Sequence, residues 1–130
     1  MMREKLFRGQ NPRTKVWVYG DLVTNYPHNG EYGIRPPGKH VTRVSQETVG
    51  QYTGVKDKNN DLLFEGDVFE YIVKDSDDNE ERYYFRIFSV SSENGCFRFI
   101  AMHVDASSKD ILDPYFVPLL EFLPSNMTKQ

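Results

Sequence analysis

The chain has a single cysteine, Cys96, in 130 residues. That excludes an internal disulfide and the multi-cysteine zinc motifs, and it suits a reducing compartment. Long apolar runs are missing as well. No window approaches the roughly 20 residues of a membrane-crossing helix, and MMREKLFRGQNPRTKVW at the start lacks the apolar core of a secretion signal. A cytoplasmic location and no membrane partner are therefore expected. Positive charge does not prevail either: 16 Lys and Arg stand against 19 Asp and Glu, a net charge of −3. The chain as a whole gains nothing from the field of duplex DNA, which leaves only a local basic face for nucleic acid. With no internal repeat, low-complexity tract or long linker, residues 1–130 are expected to form a single domain. That length can bury a core without covalent staples.

What the chain has in excess is aromatic residues, at 14%. Aromatic and β-branched side chains fit a pleated, half-buried surface, so sheet is the expected structure. Val16 to Val23 alternates Val16, Val18 and Leu22 with Trp17, Tyr19 and Val23, the period of a strand. Asn29-Gly30 marks a hairpin turn and Pro36-Pro37-Gly38 cannot continue a central strand, so only a short strand, Glu31 to Arg35, fits between them. Val49, Gln51 and Thr53 suggest a further edge. Asp67 to Lys74, Glu81 to Ser91 and Cys96 to Val104 read as an antiparallel meander. In its last run Phe97, Phe99 and Ala101 alternate with Arg98, Ile100 and Met102, so both faces are expected to pack on something. Ser107 to Leu112 predicts a short helix, capped by Ser107 or Ser108 and stopped by Pro114. The tail from Pro118 is expected to fray at its polar end. The fold class is all-β or mainly β, as a strongly bent antiparallel sheet or a partly open barrel with an N-terminal strand-and-loop region.

The segment QYTGVKDKNNDLLFEGDVF, Gln51 to Phe69, is the most distinctive. Physically it reads as a hairpin: Asn59-Asn60 suits a tight turn, Gly54 and Gly66 permit backbone that other residues resist, and Asp67 can cap the turn into the next strand. Tyr52, Thr53 and Gly54, then Lys56 to Asn59, then Glu65, Gly66 and Asp67 before an apolar strand resemble the hallmark of the YopX family. Arg8, Gly9, Trp17, Val18, Tyr19, Gly20 and Leu22 are similar to that family's opening. The likeness is closest from Gln51 to Val73, while the ending LEFLPSNMTKQ departs from the usual one. It implies a protein carried by phages or prophages in a bacterial host, mostly β structure, and homo-oligomerisation. It implies no catalytic residues; Tyr52, Gly54, Asp57, Gly66 and Asp67 are its structural motif.

Several residue clusters invite chemistry and lack a part of it. In Asp57-Lys58-Asn59-Asn60-Asp61 the first, third and fifth positions match a calcium loop, but Leu62 stands at the glycine position and Val68 at the bidentate Glu. Asp75 to Glu80 fails in the same way. His28, His40 and His103 have no metal spacing. Cys96 has no nucleophile signature and reads as a small buried residue, and Glu65 with Asp67 has the spacing of an ordinary strand edge. No cofactor, metal or catalytic set is expected. The leading function is a non-enzymatic binding module that holds an unknown host or phage protein and itself. The alternative is single-stranded nucleic-acid binding through Arg82, Arg86, Arg98 and Tyr84, because Arg beside exposed aromatics can stack bases. A small hydrolytic enzyme, built from His28 or His40 with the Asp57 to Asp67 carboxylates, comes third.

Overall fold

The structure, a computed structural model, describes residues 6–91 and 97–130. Its described residues form eleven strands and three 3-10 turns, with no α-helix. They fall into two compact units, Met1–Gly54 and Val55–Gln130. The chain is mainly β, in two antiparallel sheets, and neither closes into a barrel. The expectation of a mainly β chain holds, with two open sheets that are consistent with the bent form. Cys96 lies outside the described residues.

The first unit contains β1 (Phe7–Gln10), β2 (Trp17–Thr24), β3 (Tyr32–Arg35) and β4 (Thr42–Val44), and β5 (Gly50–Lys56) leads out of it. The strand order is β4-β3-β2-β1-β5, followed by β6 (Leu62–Phe64). Thus β5 lies inside the order, between β1 and β6, and not on the edge that Val49, Gln51 and Thr53 suggested. Two glycines of the N-terminal signature owe their place to close packing. A Cβ on Gly20 would stand 2.1 Å from the Arg35 carbonyl oxygen, and one on Gly9 would stand 2.7 Å from a methyl of Val44. Any side chain there would push β3 or β4 away. The Arg8 guanidinium is buried and lies 4.4 Å from the centre of the Trp17 ring, a contact that suits a cation withdrawn from water.

In the second unit β7 (Val68–Lys74), β8 (Glu80–Ser91), β9 (Phe97–Val104), β10 (Ile111–Pro118) and β11 (Met127–Lys129) are ordered β10-β9-β8-β7-β11. The meander read from the sequence is β7, β8 and β9. Because neighbours in a strand point to opposite faces, Phe69, Tyr71, Phe85, Ile87, Phe99 and Ala101 share one face. They meet Leu63, Leu119, Phe122 and Met127 in the core. Phe122 is its centre: its ring lies 5.1 Å from Phe69, 4.9 Å from Tyr71 and 4.9 Å from Phe85, each edge-on or steeply tilted. Such pairs add about 0.5–1.5 kcal/mol each to the area they bury. The tail is therefore not frayed. Residues 119–121 and 124–126 form 3-10 turns and 127–129 pair with β7, because Leu119, Phe122 and Met127 are buried apolar anchors between polar residues.

Four hairpins close by the same chemistry. In Asp57–Asp61 and Asp75–Asn79 the first carboxylate accepts the N–H of the third and fifth residues at 2.8–3.0 Å. The fourth residue, Asn60 or Asp78, takes positive φ. Asn11–Val16 and Asp105–Asp110 are one residue longer: the first side chain accepts the N–H of the third and fourth residues, and a lysine, Lys15 or Lys109, takes positive φ. Residues 107–112 are therefore a hairpin and the start of β10, not the short helix predicted. Ser107 and Ser108 give their N–H groups to Asp105 instead of capping a helix, and Pro114 falls in an edge strand, where a missing donor is tolerated. The Asn29-Gly30 signal is also a hairpin, but a longer one: Glu31 N–H bonds the His28 carbonyl, Tyr26 N–H bonds the Glu31 carbonyl, and Gly30 has φ 86°.

A left-handed lysine costs roughly 1–2 kcal/mol, against 0.4–1 kcal/mol for the extra freedom of glycine in the unfolded chain. Lys15→Gly and Lys109→Gly are each expected to raise stability to urea by about 0.5–1 kcal/mol. Asn60→Gly should gain less, because Asn tolerates this conformation. Equal or negative changes at both lysines would contradict the turn geometry.

Candidate functional site

From Val55 onward the hallmark segment folds as a clasp within the second unit. Asp57 ends the β5–β6 hairpin and is only 4% exposed. Its Oδ1 accepts the N–H groups of Asn59 and Asp61, and its Oδ2 accepts the Lys129 N–H at 2.8 Å. The Lys58 N–H adds a bond to the Met127 carbonyl at 3.0 Å. Lys129 runs back along the segment: its Nζ lies 3.1 Å from the Leu62 carbonyl and 3.5 Å from Asp67. Asp67 caps the next turn as expected, accepting the Phe64 N–H at 2.7 Å. Gly54 and Gly66 have φ of 85° and 92°, so their place in the motif is conformational. Asp57 is enclosed because both its oxygens serve backbone donors, of its own loop and of β11.

Those donors set its charge. Desolvation pushes the Asp57 carboxyl up, but the hydrogen bonds from Lys129, Asp61 and Asn59, with the Lys129 ammonium, outweigh it and hold the carboxyl below its ordinary 3.8. A group depressed in the folded state stabilises it above the unfolded value and loses that contribution as pH falls.

The four residues considered for nucleic acid all lie on the β7–β10 sheet, on the face opposite the core. Arg82, Tyr84 and Arg86 are alternate residues of β8, and Arg98 pairs with Val90 on β9, which continues the same alternation. The register therefore brings them onto one face. It separates them from Phe85 and Phe99, which alternate with them along β8 and β9 and are turned into the core. Arg82 is engaged by Glu70 at 3.6 Å and Glu80 at 3.7 Å. The Tyr84 hydroxyl donates to Glu70 at 3.0 Å, which pushes its pKa up, and the Lys109 ammonium lies 4.9 Å from its ring. Arg98 lies 5.2 Å from the Phe116 ring. Arg86, flanked by Val68 and Met102, has a buried Nε with no hydrogen-bond partner among the described residues.

The residues weighed for metals and acid–base work are placed as follows. His28 and His40 are exposed in loops of the first unit. His103, on β9, packs between Tyr83 and Phe85 at 5.8 and 5.5 Å. Among the described residues no three His, Cys, Asp or Glu side chains converge as a metal site. A shallow groove of about 440 Å³ beside β7 is lined by Tyr71 to Lys74, Leu123 and Asn126, which supplies one ammonium and no carboxylate or imidazole. No helix is long and apolar enough to cross a membrane.

A further surface is one that the sequence reading missed. Of the eleven large apolar residues exposed among the described ones, six lie between 111 and 123: Ile111, Leu112, Tyr115, Phe116, Leu120 and Leu123. Tyr115 is 81% exposed and Leu120 83%. The register explains it. Ile111 pairs with Val104 but Phe116 with Met102, so the residues between them bulge from the edge of the sheet. LLEFL, read as part of a fraying tail, divides into buried Leu119 and Phe122 and exposed Leu120 and Leu123.

Compared with known families, residues 6–114 match the family described as YopX protein. The chain belongs to the YopX family. The match runs from β1 through the hallmark clasp and into β10, well past Val73, and leaves residues 115–130 beyond its end. No curated protein and no solved structure matches the chain. In this family member, then, a motif carboxylate inside the match, Asp57, is satisfied by a backbone donor outside it, Lys129.

Asp57→Ala is expected to cost about 2–4 kcal/mol, because three backbone donors lose their acceptor. Asp57→Asn, which keeps one acceptor oxygen, should cost about 1–2 kcal/mol. In urea titrations from pH 7 to pH 2, the parent chain should lose stability as the pH falls below about 4, and both variants should show a shallower fall. Equal slopes for parent and variants would remove Asp57 from that role.

Proposed function

We propose that this YopX-family chain is a non-catalytic binding module of a phage or prophage that acts by holding another protein and by associating with itself. The observation that carries this reading is the concentration of exposed apolar side chains between Ile111 and Leu123. Scattered single apolar residues are ordinary on a surface, whereas four exposed on one edge strand, Ile111, Leu112, Tyr115 and Phe116, are the kind of cluster found at contact sites. The site chemistry supports it from the other side: Asp57 and Asp67 of the hallmark segment accept hydrogen bonds from backbone N–H groups, which gives these two carboxylates a structural role.

Changing Tyr115 and Leu120 together to Glu should leave stability within about 0.5 kcal/mol, because both side chains already face water. By sedimentation velocity the parent chain should associate, and the variant should run as the 15.2 kDa monomer. Immobilised parent, but not variant, should retain a protein from infected host cells. A parent chain that stays monomeric and retains nothing would remove the reading.

A second reading, binding of single-stranded nucleic acid, is favoured by one observation: Arg86 and Arg98 share a sheet face with Tyr84 and have no carboxylate partner among the described residues. Two features oppose it, the carboxylates already engaging Arg82 and the net charge of −3. Labelled single strands should then bind at low salt, with affinity falling as salt rises and lost in Arg86→Ala/Arg98→Ala. No binding at low salt would exclude it.

A further inference from the structure

The edge of β7 is open where β11 stops. The Val68 carbonyl accepts the Gln130 N–H, and backbone groups alternate in direction along a strand, so Glu70, Ile72 and Lys74 turn theirs the same way. β11 reaches only as far as Tyr71, the partner of Met127. The next N–H in line, that of Asn126, bonds the Leu123 carbonyl at 2.9 Å instead. The Ile72 carbonyl and both backbone groups of Lys74 therefore have no backbone partner on this edge among the described residues. β7 has no proline, and its register with β8 is unbroken from Val68 to Lys74. It lacks the devices that keep a further strand from pairing with β10.

Beside this edge lies the groove of about 440 Å³. Val73 shares the face of Phe69 and Tyr71 but is 43% exposed, and Leu123 is 60% exposed. The one cation of the lining, Lys74, is drawn to Glu80 at 3.6 Å. Past Lys74 the chain turns acidic: residues 74–82 hold five carboxylates against two cations, Lys74 and Arg82. Asp77 and Asp78, at the hairpin tip, are exposed and have no ion-pair partner among the described residues.

We propose that the open edge of β7 is a strand-addition site for an extended, basic segment of another protein. The segment pairs antiparallel to β7, in line with β11. Its residue opposite Val73 is apolar and enters the groove against Val73 and Leu123, and Lys or Arg residues on its N-terminal side lie along Asp77 and Asp78. A helix or a folded surface would leave the Ile72 and Lys74 backbone groups unpaired, whereas an extended chain pairs them. The site is on the other side of the sheet from β10, so its failure leaves the β10 contact reading standing.

A random heptapeptide library, displayed and selected on the full chain, tests this. Enriched peptides should carry Lys or Arg before an apolar residue. A synthetic copy of the tightest binder should slow exchange of the Lys74 amide about tenfold in NMR spectra, the mark of a ladder bond that side-chain packing does not make. Its affinity should fall about tenfold in Leu123→Glu, and about threefold with a weaker salt dependence in Asp77→Asn/Asp78→Asn. All three positions are exposed, and the same spectra check that the variants fold. No enrichment, enrichment of acidic peptides, equal binding to Leu123→Glu, or unchanged exchange at Lys74 would each overturn the proposal. Protection of Lys74 that grows with chain concentration and no peptide would give the edge to a second copy and overturn it too.

Discussion

The Asp57 carboxylate joins the beginning of the second unit to its end. One oxygen closes the hairpin that carries the family hallmark and the other takes the backbone N–H of Lys129, so the last strand is held by the first loop. The rest of the unit follows. With 127–129 docked on β7, Met127 is sealed in the core, and the short path from Pro118 to Met127 has to cross the sheet. That path carries Leu119 and Phe122 onto the face where Phe69, Phe85 and Ile87 wait. Without the clasp, one side of a five-stranded sheet would open to water. A charged group enclosed this way is stable only because every lone pair it turns inward meets a donor.

Covering one face in this way leaves the other to its own side chains. There Arg82, Tyr84 and Arg86 of β8 lie beside Ile100 and Met102 of β9, with Arg82 and Tyr84 engaged by Glu70. The β10 edge of the same sheet carries four of the exposed apolar residues, Ile111, Leu112, Tyr115 and Phe116. Edge strands with open backbone groups invite uncontrolled pairing, and bulges and prolines are the usual protection. β10 has both, yet it presents Tyr115, Leu112 and Phe116 outward. Protection against strand addition combined with exposed apolar side chains fits a contact made by packing, which is more selective than a ladder any strand can join.

Much of the fold was legible in local pattern. The period-2 alternation of Val16 to Val23 and of the three meander runs gave strands whose ends differ from the structure by a residue or so. The glycines and the Asn59-Asn60 turn were readable because φ preferences are local. The errors came where two local signals compete. Ser107-Ser108 before apolar residues resembles a helix start, but Asp105 captures the same N–H groups first. LLEFLP resembles a loose tail because its apolar residues follow neither period cleanly; two 3-10 turns around an extended link set which of them turn inward.

By itself the sequence determined the class, the Asn59-Asn60 hairpin and the family, since aromatic content, alternation, turn residues and the QYTGVKDKNNDLLFEGDVF hallmark act over a few residues. It also carried the Arg and Tyr residues of one face in plain view, as alternate positions of one strand. Only the tertiary structure decided that Asp57 is enclosed and not solvated, that Phe85 and Phe99 face away from those arginines, and that Leu120 is exposed while Leu119 and Phe122 are buried. Each depends on partners far along the chain, Lys129 for Asp57 and the β7–β8 face for Phe122. Burial is a property of what arrives from elsewhere, and no local pattern encodes it.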